Sequence, residues 1–538
     1  MSMIRAGAAQ ILAELGRPEN NLELIGEHVR ALAADGAQLV ALPEAMNAGY
    51  LFDDREHALA LGETLDGPFI AGLGELADST GTWLACGITE RDGARLFNSA
   101  VLVGPEVGLV ACHRKVNLAP HDRQWFSVGD GTPAVADTPL GRLGLFICFD
   151  SRLPWVARNL ALAGAELLVN CANFFSEDKA ALHLPVRAAE NGLPVLAASK
   201  AGHERAARYQ GGTCAIDADG TVIDVLGPDV TNATLLADLE LAPKTRDERL
   251  ASRRPQAYHV LESPYVTTKA AEKARQAVVV ADTCVQVAAV QGTWAQPEAL
   301  EARLDEVAIL GAKIWVLPSH PCGEPPADAL AADVAADSAP ALFAAIGRAT
   351  VRADAWCVLS TVVRDPAGPA SVLAIVGPDG QVRTARPVHP DPAEPWSSAG
   401  EEWLVADTPW GRLGVLGSAD LAHPESARCL ALLGADLLCV PAATNSVWLR
   451  DLAPLERSSE SRCHVAMANR PQGCDAPGRS VVVPLTGFPT AKPGAVGRAL
   501  VDETHRVVAG FVELATARNK CITSGTHLFE RSRVEETV

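Results

Sequence analysis

Three reactive side chains each follow an apolar run in the first half of the chain. Glu44 comes after LVALP, Lys115 after LVACHR and Cys148 after LGLFI. A carboxylate base and a nearby cation both favour the thiolate of a cysteine, which is its nucleophilic form. A glutamate can also return a proton to a leaving amine, while a lysine and the backbone N–H of Phe149 can stabilise an oxyanion. Together these residue types suit acyl transfer through a thioester.

Each of the three residues also has an ordinary structural interpretation. A cysteine inside an apolar run is commonly core filler, and a glutamate or lysine after a strand is commonly a solvated loop residue. Lys115, however, is the only lysine in the first 178 residues, where arginine is used freely. A lysine retained in such a region is typical of a site that needs a compact ammonium donor.

The elements that must position these residues alternate between strand and helix. Apolar runs predict strands, and 3.6-residue periodicity predicts helices. The predicted strands are AGAAQIL (6–12), AQLVALPE (37–44), GRLGLFICFD (141–150) and AELLVNCAN (165–173), and the predicted helices are 21–36 and 154–165. Residues 214–227 predict a hairpin that turns at Asp219-Gly220. This alternation predicts an α/β domain whose polar strand ends carry the chemistry.

The chain also repeats itself. VADTPLGRLG at 135–144 recurs as VADTPWGRLG at 405–414, and LALAGAELLV at 160–169 recurs as LALLGADLLC at 430–439. The offset is 270 residues in both cases, which predicts a tandem duplication. We expect a catalytic domain at 1–265, a linker at 266–282 and a second domain at 283–538. The linker has the composition of a short helix or of a tail packed on either domain.

The segments around the three reactive residues resemble a known family. ALPEA around Glu44, HRKVNL around Lys115 and CFDSRLPW from Cys148 are similar to the three signature blocks of the nitrilase superfamily, the carbon–nitrogen hydrolases. The resemblance covers most of 1–260. It implies a four-layer α-β-β-α sandwich without metal or cofactor. It also implies that Glu44 is general base and acid, Lys115 the oxyanion stabiliser and Cys148 the nucleophile.

The resemblance also suggests supporting residues. Many family members have a second glutamate four residues before the Phe of the FxxGD-like segment, and Asp122 stands there in this sequence. It is expected to position Lys115 or the substrate. The form CFDSRLP is closest to the branch that acts on small amides, such as the omega-amidases, although Trp155 replaces the glutamate expected after Pro154.

Substrate contacts are expected from residues beside the nucleophile. Arg152 is expected to meet a substrate carboxylate or, alternatively, to form an ion pair with Asp150 or Glu190. Asn173 and Phe174, which end the GAELLVNCAN block and begin the next loop, are predicted to line the pocket.

The second copy has lost all three reactive residues. Ser319 stands for Glu44, Pro387 for Lys115 and Ser418 for Cys148. A serine nucleophile assisted by His423 or His320 is conceivable, but a hydroxyl without a positioned base is inert. Cys322 and Glu324 are read as loop residues. We therefore expect a catalytically inactive domain that acts as a built-in partner in an intramolecular pseudo-dimer, with further homo-oligomerisation open.

Bulk composition limits the remaining classes. The 538 residues carry a net charge of −19, which disfavours a nucleic-acid partner. Thirteen cysteines without CxxC spacing argue against a disulfide framework or a structural zinc site. No apolar run approaches a membrane span and no signal peptide is evident, so a cytoplasmic protein is expected.

The leading hypothesis is hydrolysis of a non-peptide carbon–nitrogen bond in a small amide. The alternatives are an acyltransferase that uses the same thioester, hydrolysis of N-carbamoyl compounds or nitriles, and a non-catalytic binding scaffold. One sequence does not distinguish these substrates.

Overall fold

The computed structural model divides into two compact units, Met1–Ala251 (unit 1) and Ser252–Glu536 (unit 2). It describes residues 2–176, 179–241, 243–275, 284–471, 478–485, 496–498, 506–523 and 526–529. Part of the predicted linker, 276–282, lies outside the described residues. The remainder, 266–275, clusters with unit 2.

Within the described residues, unit 1 contains two six-stranded mixed sheets and a small two-stranded one. Its strands are β1 (Ser2–Gln10), β2 (Leu39–Ala41), β3 (Trp83–Asp92), β4 (Arg95–Gly104), β5 (Gly108–Arg114), β6 (Val135–Thr138), β7 (Gly141–Ile147), β8 (Leu167–Ala172), β9 (Val195–Ser199), β10 (Ala201–Glu204), β11 (Ala207–Gln210), β12 (Cys214–Ile216), β13 (Val222–Val225) and β14 (Ala233–Leu241). The large sheets have the orders β14-β1-β2-β3-β4-β5 and β13-β12-β9-β8-β7-β6, and β10 pairs with β11. The strands β1, β2 and β3 run parallel, as do β7, β8 and β9.

The two large sheets of unit 1 pack against each other through one apolar core. Ile4 and Leu39 of the first sheet share a cluster with Leu145 and Val169 of the second. The helices of unit 1 are α1 (Pro18–Ala34), α2 (Arg55–Leu61), α3 (Pro68–Thr80), α4 (Asp122–Trp125), α5 (Pro154–Leu162), α6 (Leu184–Asn191) and α7 (Pro243–Ala251). The buried faces of α1 and α3 pack on the first sheet, and α5 packs on the second. The layers therefore run helix, sheet, sheet, helix.

Most predicted elements appear with shifted ends. The predicted hairpin is present as antiparallel β12 and β13. The strand predicted at 37–44 ends at Ala41, because Pro43 cannot donate to a sheet. The prediction that 141–150 is one strand is wrong. The strand ends at Ile147, and Cys148–Arg152 form a 3₁₀ turn.

Unit 2 has the same strand order as unit 1 within its described residues. Its strands are β15 (Cys284–Gln291), β16 (Ile314–Ser319), β17 (Trp356–Asp365), β18 (Gly368–Val376), β19 (Val382–Ala385), β20 (Val405–Asp407), β21 (Arg412–Val415), β22 (Leu437–Ala442), β23 (His464–Asn469), β24 (Val481–Val483), β25 (Val496–Arg498), β26 (Arg506–Glu513), β27 (Cys521–Thr523) and β28 (Thr526–His527). The six-stranded sheets read β26-β15-β16-β17-β18-β19 and β20-β21-β22-β23-β24-β25. They correspond strand for strand to the two large sheets of unit 1.

The helices of unit 2 are α8 (Lys269–Arg275), α9 (Pro297–Ile309), α10 (Ala329–Ala353), α11 (Pro424–Leu432), α12 (Val447–Asp451) and α13 (Ala453–Ser461). Among the described helices, α10 alone is long and apolar enough to cross a membrane by length and composition. Its residues Leu342, Ile346 and Ala349 are buried in a core formed with α9 and the β15–β18 sheet. Such packing is ordinary for a core helix of a globular domain.

Candidate active site

Glu44 lies in a loop that is held against both large sheets of unit 1. Its backbone N–H donates to the Ala172 carbonyl at the end of β8 (3.2 Å). The preceding Pro43 carbonyl accepts from the Gly87 N–H (3.0 Å) on β3. A Cβ at Gly87 would overlap the Glu44 Cα, so only glycine permits this close approach. The loop also places Ala45 in the left-handed region (φ 53°), a strained conformation for a residue with a Cβ.

Lys115 directly follows β5 and bridges two carboxylates. Its Nζ lies 2.7 Å from Glu44 Oε1 and 2.8 Å from Asp122 Oδ2. All three side chains are fully buried. Burial alone would lower the pKa of Lys115, but the charges of Asp122, Glu44 and Cys148 outweigh it and raise that pKa well above its ordinary value. The ammonium is therefore charged at every pH at which the protein is expected to work.

The two carboxylate oxygens of Glu44 differ in their hydrogen bonds. Oε1 accepts from Lys115 and also from the Asn98 side-chain amide on β4. Oε2 is buried and accepts from no residue that the structure describes. A carboxylate fixed through one oxygen keeps the second for a substrate or a thiol proton.

Cys148 begins the 3₁₀ turn at the end of β7. Its φ of 40° is unfavourable for a residue with a Cβ, and such strain clusters at functional sites. Asp150 holds the turn by accepting from the Ile147 N–H (3.2 Å) and the Asn117 N–H (2.9 Å). The His113 Nε2 also lies 2.9 Å from the Asp150 carboxylate. The Cys148 thiol donates to the Asn173 carbonyl (3.5 Å), and in its thiolate form its charge contributes to the raised pKa of Lys115.

Asp122 begins the short helix α4 and is the second carboxylate on Lys115. Its Oδ2 accepts from the Ala119 N–H (2.9 Å), and its Oδ1 accepts from the Tyr50 hydroxyl. Burial opposes its ionisation, but Lys115 and the hydrogen bonds outweigh burial and lower the pKa of Asp122. Burial, followed by the Asp122 charge, raises the pKa of Tyr50, which therefore stays a proton donor.

Sequence reasoning missed a polar group behind Tyr50. Glu204 at the end of β10 accepts from the Tyr50 and Leu51 N–H groups (2.7 Å each) and from the Tyr209 hydroxyl (2.9 Å). Fully buried Lys200 lies 3.9 Å from Glu204, and burial lowers the pKa of this lysine. The available signal was the position of Lys200 directly after the apolar run VLAAS, which parallels that of Lys115.

The remaining predicted site residues take different positions. Phe149 follows Cys148 within the 3₁₀ turn. Arg152 is buried, and its Nη1 lies 3.5 Å from His183 Nε2. The Asn173 side-chain amide is buried beside the nucleophile, and its nitrogen and oxygen bond to no described residue. Phe174 belongs to the core between the sheets.

In unit 2 the corresponding positions have other chemistry. Ser319 ends β16, and the Pro387 carbonyl accepts from Gly400 as the Lys115 carbonyl does from Gly129. Ser418 Oγ accepts from the Ala443 N–H (3.0 Å). Of the two histidines that could serve as its base, His320 bonds to Glu394 and His423 stacks on His389.

The described residues of both units contain no group of three or more His, Cys, Asp or Glu side chains that could hold a metal ion. The reactive groups that unit 1 brings together are a thiol, a carboxylate and an ammonium. These groups suit covalent catalysis at a carbonyl carbon.

Known proteins are similar to part of this chain. The carbon–nitrogen hydrolase family model matches residues 5–245, within unit 1. A nitrilase of Pyrococcus abyssi is 33% identical over 210 residues, which cover 39% of this chain and 79% of the relative. The deaminated glutathione amidase of Mus musculus is 30% identical over 270 residues, covering 46% and 82%. A solved double mutant of the amidase from Nesterenkonia sp. AN1 in complex with acrylamide is 24% identical, with a TM-score of 0.42, over 48% of this chain and 97% of that one.

The chain belongs to the nitrilase superfamily of carbon–nitrogen hydrolases. It is a hydrolase of that class, and its amidase relatives share most of their length with it.

Proposed function

We propose that unit 1 hydrolyses the carbon–nitrogen bond of a small amide through a thioester on Cys148. The observation that carries this proposal is the state of Glu44. Lys115 and Asn98 hold Oε1, while Oε2 accepts from no described residue and is buried in the same site as the thiol. A base held in this way suits proton transfer to and from reacting atoms.

In the first half-reaction Glu44 takes the thiol proton and the thiolate attacks the amide carbon. A carbon–sulfur bond forms, and the oxyanion is stabilised by Lys115 and the backbone N–H of Phe149. The carbon–nitrogen bond then breaks as Glu44 protonates the departing nitrogen. Ammonia or an amine leaves, and the acyl group remains on Cys148.

In the second half-reaction water replaces the amine. Glu44 takes a proton from the water, whose oxygen attacks the thioester carbon. The carbon–sulfur bond breaks, the carboxylic acid leaves, and the thiolate recovers its proton from Glu44. Asp122 acts as a positioning residue for Lys115, since it lies 2.8 Å from the ammonium and balances its charge.

The relatives are named as a nitrilase and an amidase, and both names agree with a small nitrogen-containing substrate. We assign substrate contacts to Asn173, whose buried amide has no described partner, and to Arg152 in the turn after the nucleophile. Phe174 would shape the pocket from the core side.

Unit 2 is proposed to be a degenerate copy of unit 1 that has become its internal pseudo-dimer partner. The 270-residue repeat and the shared strand order support the duplication. The helices after the nucleophile position, α5 and α11, retain similar sequences, as expected for self-complementary faces.

The test is release of ammonia from a panel of small amides, carbamoyl amino acids and nitriles. Cys148→Ala is expected to reduce turnover by at least about 10³-fold, because the nucleophile is lost. Cys214→Ala removes a buried core cysteine on β12 and should retain activity. Turnover that survives in Cys148→Ala would overturn the proposal.

Two further readouts separate the alternatives. With an added amine acceptor, hydrolysis yields the free acid, whereas a new amide product would assign an acyltransferase. Iodoacetamide should alkylate Cys148 much faster than Cys214, because an adjacent cation favours the thiolate. Equal, slow rates at both thiols would favour a binding scaffold.

A further inference from the structure

Unit 2 has a cavity where unit 1 has its reactive residues. The cavity has a volume of about 540 Å³ and is lined by Ser319, Ala443 and Arg470 at the ends of β16, β22 and β23. In the repeat these positions correspond to Glu44, Asn173 and Lys200 of unit 1. The volume is within the range of small-molecule sites.

Polar side chains line this cavity in place of the reactive residues of unit 1, and the space between them is open. His320 Nε2 lies 2.6 Å from Glu394 Oε1, and Glu394 Oε2 accepts from the Ser371 hydroxyl. Burial would raise the pKa of Glu394, but His320 and Ser371 outweigh burial and lower it. The Glu394 carboxylate is therefore held in its charged form.

The strained backbone of the site also persists. His320 has a φ of 48°, which matches the φ of 53° at Ala45, the residue after Glu44. A side chain as large as histidine keeps this conformation only where its surroundings hold it.

Arg470 supports the cavity but is already satisfied. Its Nη1 donates to the His320 and Gly323 carbonyls (2.7 Å each), and its Nη2 pairs with Glu324 (2.9 Å). Its charge is thus matched within the protein. An anionic ligand would have to compete with Glu324 for it.

Asp391 is a further carboxylate that lines the cavity. Its Oδ1 accepts from the Ala393 N–H (2.9 Å), and no lysine, arginine or histidine among the described residues forms an ion pair with it. Burial, and to a smaller extent the Glu394 charge, raises the pKa of Asp391. A cation in the cavity would relieve both effects.

Ser319 supplies a second, independent pointer to a ligand. The residue is only 9% exposed, lines the cavity and makes no hydrogen bond through its side chain to another described residue. The hydroxyl oxygen can therefore accept from a ligand donor in the cavity. Apolar atoms of Pro325, Pro326 and Ala327 form another wall of the cavity.

We propose that the cavity of unit 2 binds a small molecule carrying a protonated primary amine. The ammonium would donate to the Asp391 carboxylate and the Ser319 hydroxyl, while a short alkyl chain would pack on Pro325 and Pro326. This site is independent of the reaction proposed for unit 1, because all of its residues belong to unit 2.

The test is isothermal titration of the full chain with n-butylamine at neutral pH, where the amine is protonated. Sodium butyrate and n-butanol are the matched anionic and neutral probes. We expect butylammonium to bind and to bind at least tenfold more tightly than either of the other two. Butyrate binding as tightly as the amine, or no binding by any probe, would overturn the proposal.

Two variants tie binding to this cavity. Asp391→Asn should weaken butylammonium binding at least tenfold, and Ser319→Ala should weaken it about threefold. Asp379→Asn is the matched control, because Asp379 likewise accepts from the N–H two residues on but does not line the cavity. Binding unchanged in Asp391→Asn and Ser319→Ala, with both variants folded by circular dichroism, would place the amine elsewhere and refute the assignment.

Discussion

Lys115 shows how single residues in unit 1 depend on one another. The ammonium is buried, yet its pKa is raised, because two carboxylates more than compensate for lost hydration. The residue types and strand-end positions of Glu44, Lys115 and Cys148 were predictable from the sequence. Asn98 and Tyr50 were not, because their contacts span 54 and 72 residues and depend on how the strands pair.

Asp122→Asn tests the charge balance at Lys115. The substitution keeps the shape but removes a charge that raises the pKa of Lys115, so that pKa should fall. We expect kcat/KM to decrease about 100-fold, and the alkaline limb of its pH profile to move to lower pH. Asp137→Asn, at a side chain that is 85% exposed, is the control. An unchanged pH profile in Asp122→Asn would contradict the positioning role.

At the scale of elements, the sequence predicted which segments are strands and helices better than where they end. The run GRLGLFICFD has no charged residue between Leu143 and Phe149, but Asp150 accepts from the Ile147 N–H and converts its end into a turn. That hydrogen bond places Cys148 at the end of the strand instead of within it. Periodicity carries no information about such a side-chain bond.

The loop that holds Glu44 depends on β3 through Gly87. Gly87→Ala would force the Glu44 backbone away, so we expect kcat/KM to fall at least tenfold and the free energy of unfolding to fall by about 1–3 kcal/mol. Gly74→Ala in α3 is the control, since its Cβ would meet no atom within 4 Å. It should raise the free energy of unfolding by about 0.5–1 kcal/mol. Kinetics and urea unfolding measure both, and full activity in Gly87→Ala would show that the approach is not needed.

β23 in unit 2 carries a buried histidine that makes stability depend on pH. His464 Nδ1 accepts from the Leu485 N–H (2.9 Å), so the ring must be neutral at that nitrogen. Burial lowers the pKa of His464 from 6.5 to about 3. The imidazole of the unfolded chain therefore binds a proton below about pH 6.5, whereas the imidazole of the folded chain binds it only near pH 3. The free energy of unfolding should fall by several kcal/mol over that range.

Urea unfolding at pH 7, 6, 5 and 4 measures this effect. His464→Gln should be less stable at pH 7 but should lose less stability on acidification than the unaltered chain. The same loss in both proteins would assign the pH dependence to other groups.

At the scale of the whole molecule, the repeat was visible in sequence but its consequences were not. The strained φ persists from Ala45 to His320, while Ser418 is not among the described residues with a positive φ, unlike Cys148. The backbone strain found at Cys148 is thus absent at Ser418, whereas the strain found at Ala45 persists at His320. The sequence places 252–265 in the catalytic domain and leaves open how the linker from 266 packs, whereas residues 252–275 cluster with unit 2 through tertiary contacts. Tyr258 bonds to His389 (2.7 Å) and Arg253 to Glu425 (2.9 Å) within unit 2.

The central claim is that one cysteine in one of the two units carries the acyl group. The direct measurement is intact and peptide mass spectrometry of protein quenched with acid during turnover of a small amide. We predict a mass increase equal to the acyl group on the peptide that contains Cys148. The adduct should be unchanged in Ser418→Ala and absent in Cys148→Ala. Turnover without an adduct on Cys148, or an adduct that disappears in Ser418→Ala, would contradict this account.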